Sequence, residues 1–493
     1  MRTRRPSLAT VRLGPVELAG RSVLLRPPEL ADFAAWRQIR LRDRAYIEPY
    51  WYSSPLDWAA RHTGKLWVRE CSMIRADARA GRRLSLAIEV DGAFAGQIEL
   101  GSLDKPVGSA EMGIWVDARV ARHGIGALAV AMLLDYGFGS AGLRRITAPI
   151  SPENIGATRG AEVVGFRHEA LMARYFDSGG ARRDHDLWAV IRADVPPEGF
   201  TPKWLEHCAV VSKPVAAQPV TADAGVAVDQ RGAPRALDPA EGAKSATDAE
   251  PSVAVLAPEA PARALPDELP ARAHTLSPLT VLTARARYRA GRARHALDPL
   301  LPTAPIRLVD HGPPMVVVRD RTRADRTAWR AAKLHHRELT PDADRNAAKR
   351  RYGRRRWLRE SLCARAGLRS PSGLVLAIEV DGAFRGECRL FDLDMFDHNA
   401  ELHAWTDAET DDLVRMTALR LLLDHAFTRL GLQRVSMAVA VDDAATSGVA
   451  ARLGMTREGT MRDHVGPTGR RADHELWAIT LESNQRSRPS VDP

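Results

Sequence analysis

Cysteine is scarce in this chain. Its four residues, Cys71, Cys208, Cys363 and Cys388, form no CxxC pair and no even ladder. The spacing of a zinc site is therefore missing, as is a disulfide framework, and no metal is expected. Long apolar runs are missing too. No stretch reaches the ~20 residues of a membrane span, and the basic start MRTRRPSLATVRLG lacks the apolar core of a signal peptide. A reducing cytoplasm is the expected setting, with no membrane partner. Acidic residues are the minority charge: 71 Lys and Arg against 61 Asp and Glu leave a formal net charge of +10. That balance suits an anionic partner such as nucleic acid, a ribosome surface or a polyphosphate cofactor. It suits equally an Arg-rich surface with no special partner.

What the chain does have is a repeat. LAIEVDGAF runs from Leu86 to Phe94 and again from Leu376 to Phe384. The likeness extends outward: VLLRPPELADFAAWR pairs with VVVRDRTRADRTAWR, LLDYGF with LLDHAF, and RRDHDLWAV with RRADHELWAI. The span is too long for a solenoid repeat, so it reads as a duplicated domain, 1–195 and 306–483. Between them, 196–305 is rich in Ala and Pro without helical or strand period, and reads as a disordered linker. Within it TARARYRAGRARHAL (Thr283 to Leu297) reads first as a solvated basic run and second as a basic helix. Residues 484–493 read as a disordered tail.

Inside the first unit SVLLR reads as a strand and ELADFAAWRQIRL as a helix, its apolar spacing near 3.6. LSLAIEV and AFAGQIEL flank Asp-Gly and read as a hairpin. AEMGIWVD is a strand, GIGALAVAMLLDYGF a helix, RRITAPI a strand, and NIGATRGAEVVGF a helix stopped by Gly165. FRHEALMARYF and ARRDHDLWAVI complete the unit as strands. The expected class is α/β (α+β): two domains, each a mixed, mostly antiparallel twisted sheet flanked by helices.

VARHGIGA (Val120 to Ala127) joins a strand to a helix. Glycine lets backbone approach a ligand, and a helix N-terminus offers free N–H groups and a positive dipole end. His123, Gly124, Ile125, Gly126 and Ala127 would offer amides to a pyrophosphate, and Arg122 a cation. Taken alone, the pattern is equally a tight turn before a helix.

Strand, Gly-rich loop, helix, then a strand followed by Pro152-Glu153-Asn154 and a helix ending at Gly165-Phe166 resembles the GNAT N-acetyltransferase superfamily. Within it the sequence is most similar to the RimJ/RimL-like ribosomal-protein-alanine N-acetyltransferases. The resemblance covers nearly all of the first unit and, more weakly, most of the second. It implies acetyl-CoA held by the loop amides and by a splayed gap between central strands, with Asn154 beside it. It implies transfer of an acetyl group to a primary amine, with a protein N-terminal α-amine as the first reading. Two positions depart from the family pattern. Ala121 stands where Gln or Arg is usual, and Ala157 where that branch often has a serine proposed as general acid. Tyr175 and the adjacent Thr158 are the candidate substitutes.

The reaction needs a neutral amine. With pKa near ~8 for an α-amine and ~10.4 for lysine, about one α-amine in ten is neutral at pH 7, against about one lysine in 2,500. Glu111, on the strand before the loop, is where many family members carry a deprotonating glutamate. A hydrogen bond within the sheet or to a substrate backbone is its other reading. Asp184 and His185 could face the same cleft, but their copies Asp473 and His474 point as strongly to support of the fold.

The second unit keeps Glu401 but loses both loop glycines. Asp411 and Asp412 stand near the loop, and Asp443 replaces Asn154. Two like charges ~4 Å apart repel by about 1–4 kcal/mol between water and an effective dielectric of ~20. The second unit is therefore expected to keep the fold without the cofactor. KRRYGRRRWLRESLCARAG, Lys349 to Gly367, interleaves cations with aromatics. It reads first as a solvated helix face with an anchored Trp, and second, over Lys349 to Arg359, as a ribosome or RNA contact. Two rivals stand beside N-terminal acetylation: acetylation of a small-molecule amine such as an antibiotic or metabolite, and a non-catalytic scaffold.

Overall fold

The computed structural model describes residues 7–104, 107–211, 276–297, 305–338, 373–394, 397–407, 409–466 and 469–486. In the first unit the elements are β1 (Leu13–Leu18), β2 (Arg21–Arg26), α1 (Phe33–Arg42), α2 (Arg44–Ile47), α3 (Gly64–Ala80), β3 (Leu84–Val90), β4 (Ala93–Asp104), β5 (Ser109–Val116), α4 (Ile125–Phe138), β6 (Arg145–Ile150), α5 (Ile155–Val164), β7 (Arg167–Ser178) and β8 (Ala181–Ile191). Then come α6 (Phe200–Val211) and α7 (Pro278–Leu297). The second unit follows the same order: β9 (Arg307–Asp310), β10 (Val316–Asp320), α8 (Arg326–Glu338), β11 (Leu374–Val380), β12 (Ala383–Asp394), β13 (Asn399–Thr406), α9 (Asp412–Thr428), β14 (Arg434–Ala440), α10 (Ala444–Arg452), β15 (Thr456–Val465), β16 (Arg471–Thr480) and α11 (Leu481–Arg486).

The repeated sequence marks what both units need. β3 is apolar almost throughout because it is covered on both faces, by α4 on one side and by α1 and α3 on the other. The Asp-Gly turn after it has two positive φ angles, 50° at Asp91 and 80° at Gly92, and the copy at Asp381 and Gly382 has 49° and 83°. Paired positive φ is the geometry a two-residue hairpin requires. The shared Arg and Asp six residues apart also have a physical reason. Arg26 is buried against Asp32 at 2.8 Å and Glu89 at 2.5 Å, and the partly buried Arg319 pairs with Asp325 at 2.8 Å and Glu379 at 2.6 Å. Each ties the second strand of its unit to the turn before the first helix.

Neighbouring strands pair antiparallel except β5 with β6 and β13 with β14. The β5–β6 pairing covers only Ser109–Glu111 with Arg145–Thr147, after which the two strands splay. Glu111 thus stands at the vertex of a fork. In the second unit Glu401, opposite Ser436, ends the equivalent pairing.

The units join edge to edge. β7 pairs with β15, so the described strands form one sixteen-stranded sheet. At the crossing a Cβ on Gly459 would lie 2.0 Å from the Glu169 carbonyl oxygen, so only glycine fits. Two reciprocal networks flank it. Glu169 binds Arg145 of its own unit and accepts from the Arg462 amide at 3.1 Å. Glu458 binds Arg434 and accepts from the Ala173 amide at 2.8 Å. Met172, Leu187, Met461 and Leu476 fill the space between.

The expected linker needs correction. α6 begins inside it because the Asp135 carboxylate of α4 accepts the backbone N–H groups of Phe200 and Thr201, at 2.7 and 2.9 Å. The basic run at 283–297 is helical rather than solvated coil: it forms most of α7, which lies against α3 with Ala284 buried. Residues 212–275 and 298–304, the Lys349–Arg359 cluster, and 487–493 of the expected tail lie outside the described residues. α11 extends to Arg486, into the span read as tail.

Candidate active site

The glycine loop is built on Asp117, which is fully buried at the end of β5. Its carbonyl accepts the amides of Val120 and Ala121. Its carboxylate accepts Arg42 at 2.5 Å and Arg119 at 2.9 Å. The chain then turns through positive φ at Arg122 (66°) and Gly124 (76°) and enters α4. Gly124 is doubly constrained. It takes the left-handed conformation that only glycine adopts at no cost, and a Cβ there would lie 3.3 Å from Trp204 of α6. Trp204 Nε1 also donates to the Gly124 carbonyl at 3.2 Å.

Gly126 differs. Its φ is ordinary, and a Cβ there would meet only Val116 Cγ1, at 3.7 Å. The fold itself does not require glycine at 126. Among the described residues no backbone acceptor takes the amides of Gly124, Ile125, Gly126 or Ala127, and the N-cap residue has no side chain to supply one. Four N–H groups and the positive end of α4 stay open beside Arg122, which is exposed. His123 turns its Nδ1 to the Ala121 carbonyl at 2.9 Å.

At the vertex of the fork, the Tyr175 hydroxyl of β7 lies 3.5 Å from Glu111 Oε2, a long contact rather than a full hydrogen bond. Burial, followed by the charges of Glu99 and Asp397, raises the Glu111 carboxyl to about 7. The Glu111 charge, followed by burial, raises the Tyr175 hydroxyl well above its ordinary value, so it keeps its proton. Beyond the vertex Gly113 and Ile114 of β5 are exposed along the open arm.

The other predicted residues divide. Asn154 is the N-cap of α5, its Oδ1 accepting from the Ala157 amide at 3.2 Å, which leaves the side-chain NH₂ to donate. Thr158, one turn on, has a buried Oγ1 with no hydrogen-bond partner among the described residues. His185 is buried with Nδ1 3.2 Å from the Arg183 carbonyl, and burial lowers its pKa, so it stays neutral. Asp184 accepts from the Arg174 amide at 2.8 Å. Their copies repeat this: His474 Nδ1 lies 2.9 Å from the Ala472 carbonyl, and Asp473 accepts from the Asp463 amide at 3.0 Å. These contacts hold the β7–β8 and β15–β16 hairpins. Trp204 and Asp135 were missed because their role depends on α6 packing over elements far earlier in the chain, and Asp117 because its partner Arg42 lies 75 positions before it.

In the second unit the helix start is closed by the chain itself. Asp411, the N-cap of α9, accepts the Leu413 amide at 3.0 Å, and Asp412 pairs with Arg415 at 2.8 Å. Asp411, Asp412, Leu413, Met416 and Arg452 line a shallow depression there. Glu401 is raised to about 8 by burial, then by Asp392. The position of Tyr175 is held by His464, lowered to about 3 by burial, then by Arg145. Asp443 caps α10 through the Thr446 amide at 3.0 Å. The change from Asn154 to Asp443 therefore preserves a cap and removes only the side-chain donor.

A model of the acetyltransferase (GNAT) domain matches residues 22–167 and again 316–456. The chain is 23% identical to the probable N-acetyltransferase YjcK of Bacillus subtilis, over 36% of this chain and 98% of that protein. Among solved structures it is similar to Mycobacterium smegmatis RimJ in complex with CoA-disulfide, at 37% identity and TM-score 0.39, over 42% of this chain and 96% of that one. It is also similar to the ribosomal-protein-S5-alanine acetyltransferase of Vibrio fischeri, at 20% identity and TM-score 0.33, over 37% of this chain and 98% of that one.

Proposed function

The chain belongs to the GNAT acetyltransferase family and is an acyltransferase, and we propose that its N-terminal unit alone transfers acetyl from acetyl-CoA to the α-amine of a protein N-terminus. The carrying observation is the contrast between two helix starts: α4 opens with unfilled amides beside the Glu111 fork, whereas α9 is closed by Asp411. Acetyl-CoA supplies the acyl group on a thioester. The amides of Gly124 to Ala127, with Arg122 beside them, suit its pyrophosphate, and Gly126, which the fold does not need, leaves room for that approach. The Asn154 NH₂ remains free to donate to a carbonyl.

Glu111 favours an α-amine on energetic grounds. Proton transfer from an α-ammonium, pKa about 8, to a carboxylate at about 7 runs uphill by about one pKa unit. From a lysine at about 10.4 it runs uphill by more than three. Tyr175, whose hydroxyl keeps its proton beside Glu111, is the group we assign to protonate the departing sulfur, ahead of Thr158.

Calorimetric titration of the full chain with acetyl-CoA should give one site. Acetyl should pass to a peptide with a free α-amine and not to the same peptide blocked there with a free lysine side chain. Two sites per chain, or transfer only to lysine or to small amines, would overturn the reading.

A further inference from the structure

The β12–β13 hairpin of the second unit reaches the fork of the first. Arg182 of β8 donates through Nη1 to the Asp397 carbonyl at 2.5 Å and through Nη2 to Asn399 Oδ1 at 2.7 Å. Asn399 Nδ2 donates in turn to the Tyr175 carbonyl at 2.7 Å. The hairpin is thus tied to the residue whose hydroxyl faces Glu111. Asp397 and Asp394 of this hairpin both act on Glu111 and on Tyr175. Among the described residues Asp397 Oδ1 is shielded from solvent and has no hydrogen-bond partner, while burial, then the charge of Asp394, raise the carboxyl to about 7 against the pull of the Arg182 guanidinium. A shielded carboxylate oxygen left in that state is poorly compensated, so a donor brought to it would be bound.

The approximate two-fold relation between the units supplies an internal control. The β4–β5 hairpin of the first unit approaches the second fork in the same way: Arg471, the counterpart of Arg182, donates to the Val107 carbonyl. Asp104 corresponds to Asp394, and each sits at the start of its hairpin turn. The residue matching Asp397 is Val107. The same backbone docking therefore occurs in both directions, but a carboxylate at this position is present only on the hairpin that faces the open fork.

We propose that Asp397, supplied by the second unit, is a specificity-determining residue of the acceptor site in the first: its carboxylate, with Asp394 behind it, receives the primary ammonium group of the acceptor. This rests on the N-terminal unit being the transferase. The ammonium then gives one proton to the Glu111 carboxylate, leaving a neutral amine and a protonated Glu111, with no other bond changed. Glu111 is faced by Glu99 from β4, by Tyr175 from β7, and by Asp394 and Asp397 from the hairpin; Arg434 of β14 acts on Tyr175.

The test uses the full chain, with an alanine-initiated peptide as acceptor. Asp397→Val copies the residue at 107 and spares the docking, which runs through the backbone carbonyl of 397. It should raise KM for the peptide about 5–20-fold, with kcat within about threefold and acetyl-CoA affinity unchanged. Asp397→Asn, which keeps shape and loses charge, should behave like the valine variant, and Val107→Asp should change nothing. An unchanged KM in Asp397→Val, wild-type behaviour of the asparagine variant, or an equal effect of Val107→Asp would overturn the proposal.

A second measurement is independent of turnover. The pKa of Glu111, followed by carboxyl carbon-13 NMR with Glu111→Gln as the assignment control, should fall in Asp397→Val and stay put in Val107→Asp. If it does not fall, Asp397 does not face the site. If it falls while no peptide is acetylated, the function reading fails and the placement of Asp397 stands.

Discussion

The two units start the same helix in opposite ways. α4 begins at a glycine in the left-handed conformation and leaves its first amides open, while α9 begins at Asp411 and fills its own. By the ordinary measure of helix stability the second unit is slightly better built, since aspartate exceeds glycine as an N-cap by about a few tenths of a kcal/mol. An uncapped start costs stability and creates an anion site; a capped start gains stability and closes one. Under the proposed function, the pair teaches that an imperfect helix terminus within a repeated fold is a better guide than the shared core. Glu111 and Glu401 occupy the same vertex and are both raised, to about 7 and about 8, so the carboxylate alone does not separate the units.

The sharpest way to break this comparison is at those two glutamates. Glu111→Gln should lower turnover by ~10²–10⁴-fold with acetyl-CoA affinity preserved, whereas Glu401→Gln should leave turnover nearly untouched. In the wild type kcat/KM should climb with pH to about 7, where Glu111 as the proposed base loses its proton, and fall again above about 8, where the free α-ammonium loses its own, so the lower inflection is the one that reports Glu111. The mutant should lose that inflection. An equal loss at Glu401 would end the distinction between the units.

Next comes a test where the units should behave alike. Glu169→Ala and Glu458→Ala each strand a buried arginine and remove a bond across the β7–β15 seam. Each should destabilise the full chain by about 3–5 kcal/mol, read from chemical denaturation. A loss confined to one of them would mean that the reciprocal networks are not equivalent in energy.

The smallest effects belong to the helix starts. Gly126→Asp places a like charge at the open amides, without steric conflict in the folded chain. Repulsion of about 1–4 kcal/mol should weaken acetyl-CoA by about 5- to 10³-fold in a titration while the melting temperature holds. Asp411→Ala should do the reverse. It should lower stability by about 1 kcal/mol and leave one acetyl-CoA site per chain.

Much of this was legible because it is local. The hairpin at Asp91-Gly92, the helix opening at Gly124 and the stop at Gly165 all follow from residues that favour positive φ, and each has it. Glu111 was legible as a strand residue ahead of the loop, but its raised pKa was not, since it comes first from burial in the folded chain, then from Glu99 of the neighbouring strand, and then from Asp397, 286 positions away. α6 was hidden by the Pro-Pro-Glu-Gly that precedes it and by the composition around it; its anchor, Asp135, lies on another helix. The seam between the units left no local sign either. Gly459 reads as an ordinary strand glycine until the Glu169 carbonyl is placed beside it.

The edge-to-edge seam has a consequence for how such a molecule can change. In a symmetric dimer of identical chains, any substitution in one hairpin appears in both, so what improves one cleft is imposed on the other. Here the two copies are written separately in one polypeptide. An aspartate can stand at 397 while a valine stands at 107, and each is selected on its own merits. Covalent duplication frees the halves from sharing every mutation, and one half can then specialise as the wall of the other's cleft.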